Sequence, residues 1–182
     1  MKLLKVSKSF NDKKVISEFS YHFPKNGTIF IQGSSGKGKT TLLNIISGLI
    51  TPDCGELELE PVSYLFQEDR LIESVSVLEN VMCVNNDKNH CIEILSNLGL
   101  KNEIYSLPVT LSGGMKRRVA IARTLVFGAN IVLLDEPFKG LDLITLEKTI
   151  QVIKEKTADK LLIIVSHESD RKYFEKYDVI TL

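Results

Sequence analysis

Eight consecutive residues, Gly33-Ser34-Ser35-Gly36-Lys37-Gly38-Lys39-Thr40, have the types and spacing to hold phosphate groups. Phosphates present closely spaced negative charge, so a binder must converge many N–H donors on a small volume. Glycines let the backbone curl inward to supply them, and the dipole of a following helix adds to their pull. The pattern GxxxxGK[ST] adds two side chains: the Lys39 ammonium can reach terminal phosphates, and the Thr40 hydroxyl can complete the coordination of Mg²⁺. A second constellation is Asp135-Glu136, delivered by the apolar run Ile131 to Leu134. Such a run reads as a buried parallel strand, and ligands sit at the carboxyl ends of such strands. Two adjacent carboxylates repel each other there. They make sense if Asp135 holds Mg²⁺ through water while Glu136 orients and deprotonates an attacking water.

The elements that must position these groups are legible in period. Val15, Phe19, Tyr21 and Phe23 alternate as in a strand, and after the turn Pro24 to Gly27 the pattern resumes in Thr28 to Gln32. From Lys39, apolar residues Leu42, Leu43, Ile45, Ile46 and Leu49 recur at helical spacing, with Gly48 and Pro52 as stops. Glu56 to Glu60 alternates as a solvated strand, and Val62 to Phe66 reads as a buried one. Residues 75–107 are expected to be helical, with Asn89 as an N-cap and Gly99 as a stop. A helix from Ser112 to Phe127 follows, then strand 131–135, helix 143–157, strand 161–166, a helix near 170–177 and a last strand from Val179. This alternation predicts an α/β fold with a parallel sheet between helices, interrupted by a helical block over 70–111.

Composition narrows the function. The chain has 182 residues, enough to bury a core without staples, and its 23 Lys+Arg balance 23 Asp+Glu. A neutral chain is a poor binder of nucleic acid, which demands a basic excess. Apolar runs reach only four or five residues, far below the roughly 20 that cross a bilayer, so no direct bilayer insertion is expected. The residues after Met1 leave no room for a secretory signal. Cys54, Cys83 and Cys91 form no paired pattern and are expected as reduced thiols, and Cys83, Cys91 and His90 match no common metal spacing. His22, in the alternating strand, is expected at the surface.

Taken with further residues, these motifs resemble those of ATP-binding subunits of ABC transporters. Gln67 after its strand is similar to the family's Q-loop. Leu111-Ser112-Gly113-Gly114-Met115 resembles the signature motif, with Met in place of the usual Gln. Gly140-Leu141-Asp142 is similar to the D-loop, His167 to the switch histidine, and Phe10 to the aromatic that stacks on adenine. The resemblance implies a P-loop NTPase fold, a RecA-like parallel sheet flanked by helices with a small antiparallel β subdomain and an inserted α-helical subdomain. It implies one ABC ATPase domain over 1–182, with 1–66 and 112–182 as catalytic core and β subdomain and 67–111 as Q-loop and helical subdomain. ATP and Mg²⁺ are the implied cofactors. The implied catalytic residues are Glu136, His167, Gln67 and Lys39, and the implied metal ligands are Thr40, Gln67 and Asp135. Nucleotide contacts fall to Phe10, Val15, Gly33, Ser34, Ser35, Gly36, Lys37, Gly38, Lys39, Thr40 and Thr41.

The signature has its own logic, because Ser112 as N-cap, the glycine N–H groups and the helix dipole make a second phosphate-binding end. In the family that end serves a second subunit in a head-to-tail dimer, so Ser112, Gly113, Gly114 and Asp142 are implied to act in trans. The implied partners are a second ATP-binding subunit, most simply a second copy, and an integral-membrane permease at whose cytoplasmic face the subunit sits. Phe66 to Leu71 and Val77 to Val81 resemble the importers of nitrate, sulfonates and taurine. Exporter ATPases and soluble ABC ATPases acting outside transport are the alternatives. The chain departs from the family at Lys37 and Lys139, and in its short strands around 56–66. The shortening is expected to thin the walls around adenine and loosen nucleotide selectivity.

Overall fold

The computed structural model describes residues 1–11 and 13–182. Two sheets share the chain. The antiparallel one runs in the order β2 (Lys13–His22), β1 (Lys2–Phe10), β4 (Cys54–Leu57). The parallel one runs in the order β5 (Val62–Leu65), β6 (Ile131–Asp135), β7 (Leu161–Val165), β3 (Gly27–Gln32), β8 (Asp178–Thr181). All five residues of β6 and all five of β7 are buried, as expected for strands covered on both faces.

The strand period of two decides which face each side chain serves. Ile131, Leu133, Leu161, Ile163, Ile29 and Ile31 pack with Leu42, Leu43 and Ile46 of α1 (Lys39–Ile46) and with Leu3, Val6 and Ile16 of the antiparallel sheet. Val132, Leu134, Leu162, Ile164 and Phe30 face the other way, into a cluster completed by α2 (Val77–Met82), α3 (Lys88–Asn97), α4 (Gly113–Phe127) and α5 (Leu143–Lys156). Burying each such aliphatic side chain is worth about 1.5–3 kcal/mol. The sheet is thereby held rigid between two cores, and its carboxyl edge carries Gly33, Asp135 and His167.

The helical block differs from the single stretch predicted over 75–107. It is two short helices and two 3₁₀ turns. Ser76 caps α2, accepting from the Glu79 N–H at 3.3 Å while the Glu79 carboxylate accepts from the Ser76 N–H at 2.8 Å. Asp87, not Asn89, caps α3, accepting from the His90 N–H at 3.1 Å, and Gly99 ends that helix at φ +75°. The strand predicted through Glu60 stops at Leu57, because its partner β1 begins at Lys2: past the bond from the Glu58 N–H to the Lys2 carbonyl the contact is an ion pair, Met1 ammonium to Glu60 carboxylate at 3.0 Å, and not a strand ladder. The helix predicted near 170–177 is a 3₁₀ helix over Glu168–Tyr173, its N–H groups reaching back three residues (Asp170 to His167, Phe174 to Arg171). It has no 3.6-residue apolar stripe to extend it. Phe174 after it is buried against Phe30. His22 is exposed at the end of β2, as expected. Cys83 is exposed as the α2 C-cap and Cys91 is buried in α3. Among the described residues no His, Cys, Asp and Glu group has the makings of a metal cluster.

Candidate nucleotide site

β3 delivers Gly33 to the carboxyl edge of the sheet, and the loop to α1 turns on backbone conformations that favour glycine. Gly38 has φ +91°, and a Cβ there would lie 2.8 Å from Val15 Cγ1. Val15 thus packs against the loop from the antiparallel sheet. The Lys39 ammonium lies across the concavity, donating to the carbonyls of Gly33 at 2.8 Å and Ser34 at 3.1 Å. Its charge is held inside the ring of loop backbone, where a phosphate would meet it.

Beside the loop the Thr40 hydroxyl donates to Asp135 Oδ2 at 2.7 Å. Asp135 is 1% exposed. Burial pushes its carboxyl above the ordinary range, the Thr40 bond pulls it down, and the Glu136 charge raises it further. A buried carboxylate beside a hydroxyl suits a hard cation that keeps most of its waters, so these oxygens fit Mg²⁺. Glu136 has φ +50°, an uncommon conformation for a residue with a side chain, and its N–H donates to the Val165 carbonyl at 2.7 Å. Its Oε2 accepts from the Gln67 carboxamide at 3.4 Å and lies 4.0 Å from the Lys139 ammonium. A cleft of about 510 Å³ is lined by Gly33, Ser35, Lys39, Glu136, His167 and Arg171.

A second cleft, of about 550 Å³, is lined by Ser112, Gly113, Gly114, Gln67, Lys139 and Asp142. Ser112 is the N-cap of α4, accepting from the Met115 N–H at 3.3 Å. Asp142 caps α5, accepting from the Thr145 N–H at 3.0 Å, and these local bonds hold its carboxyl below the usual range. A Cβ at Gly114 would lie 3.0 Å from the Gly140 carbonyl, so a larger residue would crowd the seat of α4 on this turn.

The structure therefore brings together Lys39, Glu136 and His167 in one cleft, with Thr40 joined to Asp135. Gln67 reaches Glu136 and lines the second cleft, rather than joining the Thr40 and Asp135 pair. Phe10 stands half-exposed at the end of β1 with the Lys8 ammonium 5.6 Å from its ring centre, and it does not line the Lys39 cleft. Lys37 is exposed.

Sequence reasoning missed Arg117. It is 3% exposed, and its guanidinium donates to the carbonyls of Phe66, Asp135, Glu136 and Pro137 and to the Asp69 carboxylate. The available signal was position: Arg117 lies on the same stripe of α4 as the buried Ala120, Ile121 and Thr124, where a cation needs partners. Arg171 was also missed. It donates to the Gln32 carboxamide, whose own N–H donates to the Thr181 hydroxyl at 2.6 Å, tying the turn after His167 to the strand before the loop.

Comparison with known proteins agrees with this geometry. The family model described as ABC transporter matches residues 16–139. An aliphatic sulfonates import ATP-binding protein of Shouchella clausii (strain KSM-K16) is 36% identical over 172 residues, which cover 91% of this chain and 70% of that protein. Among solved structures, a bacterial ABC transporter cassette in dimeric form superposes with a TM-score of 0.86 at 26% identity, covering 99% of this chain and 94% of its own. A dimeric ATP-binding cassette in a post-hydrolysis state with ADP and Pi also reaches 0.86, at 28% identity, covering 100% and 93%. The chain belongs to the ABC transporter family, as an ATP-binding and ATP-hydrolysing cassette that works with ATP and Mg²⁺.

Proposed function

We propose that this cassette closes head to tail on a second copy of itself and energises a separate membrane permease, in the import of a small solute. One observation carries the dimer. The Lys39 cleft and the Ser112 cleft share no lining residue, so each chain holds two incomplete halves of a nucleotide site. A two-fold dimer completes both at once. The dimeric form of the cassette structures it resembles supports the same arrangement.

Within each completed site, Lys39 and the loop N–H groups hold the phosphates while Glu136 takes the proton of a water aligned on the terminal phosphoryl. His167 and Lys39 offset the charge that develops. Gln67, beside Glu136, helps to fix that carboxylate. Thr40 and Asp135, with Gln67 proposed as a further ligand, would hold Mg²⁺, which would neutralise charge on the phosphate oxygens. Phe10 and Val15 flank the base side, with Ser34, Ser35, Gly36, Lys37 and Thr41 around the phosphates. Ser112, Gly113, Gly114 and Asp142 act on the nucleotide of the facing chain. Residues 67–111 serve as Q-loop and helical subdomain to a core of 1–66 and 112–182.

Import of a small solute rests on likeness to the sulfonate importer subunit. No helix among the described residues is long and apolar enough to cross a membrane. A groove of about 340 Å³ lined by Tyr64, Phe66, Cys83, Val84, Arg123 and Phe127, with Phe127 half-exposed, offers the permease an apolar seat on the cytoplasmic side.

The test mixes two inactive variants. Lys39→Ala loses its own loop and Ser112→Arg loses its signature, yet their mixed dimer contains one site built from two intact halves. About a quarter of wild-type turnover returns if the halves pair at random. No recovery on mixing, with both variants folded, overturns the dimer. Purification from membranes tests the rest: an integral-membrane protein should accompany the cassette, and recovery with ribosomes or DNA alone overturns the permease.

A further inference from the structure

We propose that Arg117 is a positioning residue for the general base, setting the backbone of Glu136 and the strand end before Gln67 in one register. The inference rests on the reading of Glu136 as that base.

Glu136 is held at φ +50°, a conformation that is strained for a residue with a Cβ and persists only where its surroundings over-determine it. On the carbonyl side the surroundings are a single guanidinium. Its Nη2 donates to the carbonyls of Asp135 and, at 2.9 Å, Glu136, and its Nε to that of Pro137 at 3.4 Å. Three successive carbonyls therefore converge on one planar cation. The Glu136 N–H is fixed from the other side by the Val165 carbonyl. With both flanking peptides pinned, the carboxylate has one direction to leave the chain, into the cleft of Lys39 and His167.

The opposite edge of the same guanidinium serves the Q-loop. Nη1 donates to the Phe66 carbonyl at 2.7 Å and to Asp69 Oδ1 at 3.0 Å, with the Gln67 carbonyl at 3.4 Å. Gln67 and Glu136, whose side chains meet, are thus spaced by one rigid group on α4, the helix that begins at the signature. A lysine could not replace it, because an ammonium has three donors and no plane. Burial of a cation among carbonyls is costly unless every N–H is used, and here six acceptors surround five donors.

The experiment compares Arg117→Lys and Arg117→Gln with the wild type, alone and in a Glu136→Gln background. Turnover should fall about 10²-fold, the scale of a reacting group displaced by about 1 Å. The KM for ATP and ATP-dependent dimerisation in size-exclusion chromatography should change less than about threefold, because no phosphate-binding group is touched. In the Glu136→Gln background the same substitutions should cost no further turnover, since residues acting as a unit are not additive. Turnover within about threefold of wild type, an additive loss in the double variant, or failure of both variants to fold or bind ATP assigns Arg117 to the fold alone and overturns the proposal. If Glu136→Gln itself keeps wild-type turnover, the base assignment fails instead.

Discussion

The N-termini of α1 and α4 both carry glycine, Gly38 as the N-cap of α1 and Gly113 and Gly114 in the first turn of α4, yet they are finished differently. At α1 the chain closes on itself: Gly38 is pressed by Val15 and Ile16, and the Lys39 ammonium bonds back to Gly33 and Ser34. No side chain caps that helix. At α4 the Ser112 hydroxyl caps at a long 3.3 Å, and a Cβ at Gly113 would meet nothing within 4 Å. One end is enclosed by its own chain and holds its charge ready. The other is open at Gly113, which leaves room for something the chain does not supply. The contrast teaches that the two ends have separate duties, gripping at α1 and being approached at α4.

The largest effect should come from the group that the α1 cleft alone contributes. Glu136→Gln keeps the shape and the bond from Gln67 but cannot accept a proton, so turnover should drop by roughly 10² to 10⁴ while ATP binding and dimerisation persist. Steady-state hydrolysis at saturating ATP measures it, and undiminished turnover sinks the assignment.

Lys39→Ala and Ser112→Ala separate the two ends by kinetic type. Loss of the Lys39 charge should weaken ATP binding on the order of 10- to 100-fold, the worth of a hydrogen bond to a charged group. Ser112→Ala should leave binding to the monomer within about threefold and lower turnover about tenfold. Equal effects of the two on nucleotide affinity would erase the distinction between gripping and approached ends.

Gly113→Ala sharpens it further. In the isolated chain the added methyl has open space and replaces glycine in a helix, so melting temperature should hold or rise, alanine being favoured by about 0.5–1 kcal/mol. In the dimer the same methyl would stand where the facing nucleotide approaches, so ATP-dependent association should weaken. Unchanged association by light scattering would mean that nothing approaches that end.

Most of this contrast was legible in sequence, and what was not has a common cause. The buried strands β6 and β7 are continuous apolar runs, and the loop and signature are set by residue types that few other backbones require. Local competition hid the rest. Asp87 outbids Asn89 for the α3 N-terminus because its carboxylate meets the His90 N–H, and Glu56 to Glu60 alternates beyond the point where β1 can pair with it. For Arg117 only its place on the buried stripe of α4 was legible: its partners are backbone carbonyls of segments far along the chain, which leave no pattern of residue types.

The smallest expected effect lies at the enclosed end and concerns stability. Asp135 is buried, and its carboxyl stands above the ordinary range chiefly through burial, so the folded nucleotide-free chain holds that proton more tightly than the unfolded one. Its contribution to stability is therefore fully present below the unfolded value of about 3.9 and is lost as pH rises through the higher folded value. Near neutral pH the charged carboxylate is a burden to the empty cassette. Asp135→Asn removes the charge and keeps an oxygen to accept from Thr40, so the empty variant should melt above the wild type at pH 7. A chain of this size moves by about 2–4 °C for each kcal/mol. The advantage should shrink as pH falls toward the unfolded value of about 3.9, because the wild-type carboxyl takes up its proton on the way. With Mg²⁺ and ATP the order should reverse, because only the carboxylate gains from the cation, and thermal melts with and without the nucleotide test both halves. A variant that melts lower at pH 7, or a difference that ignores pH, would show that burial of Asp135 costs the fold nothing and that the α1 end is not held in readiness at the expense of stability.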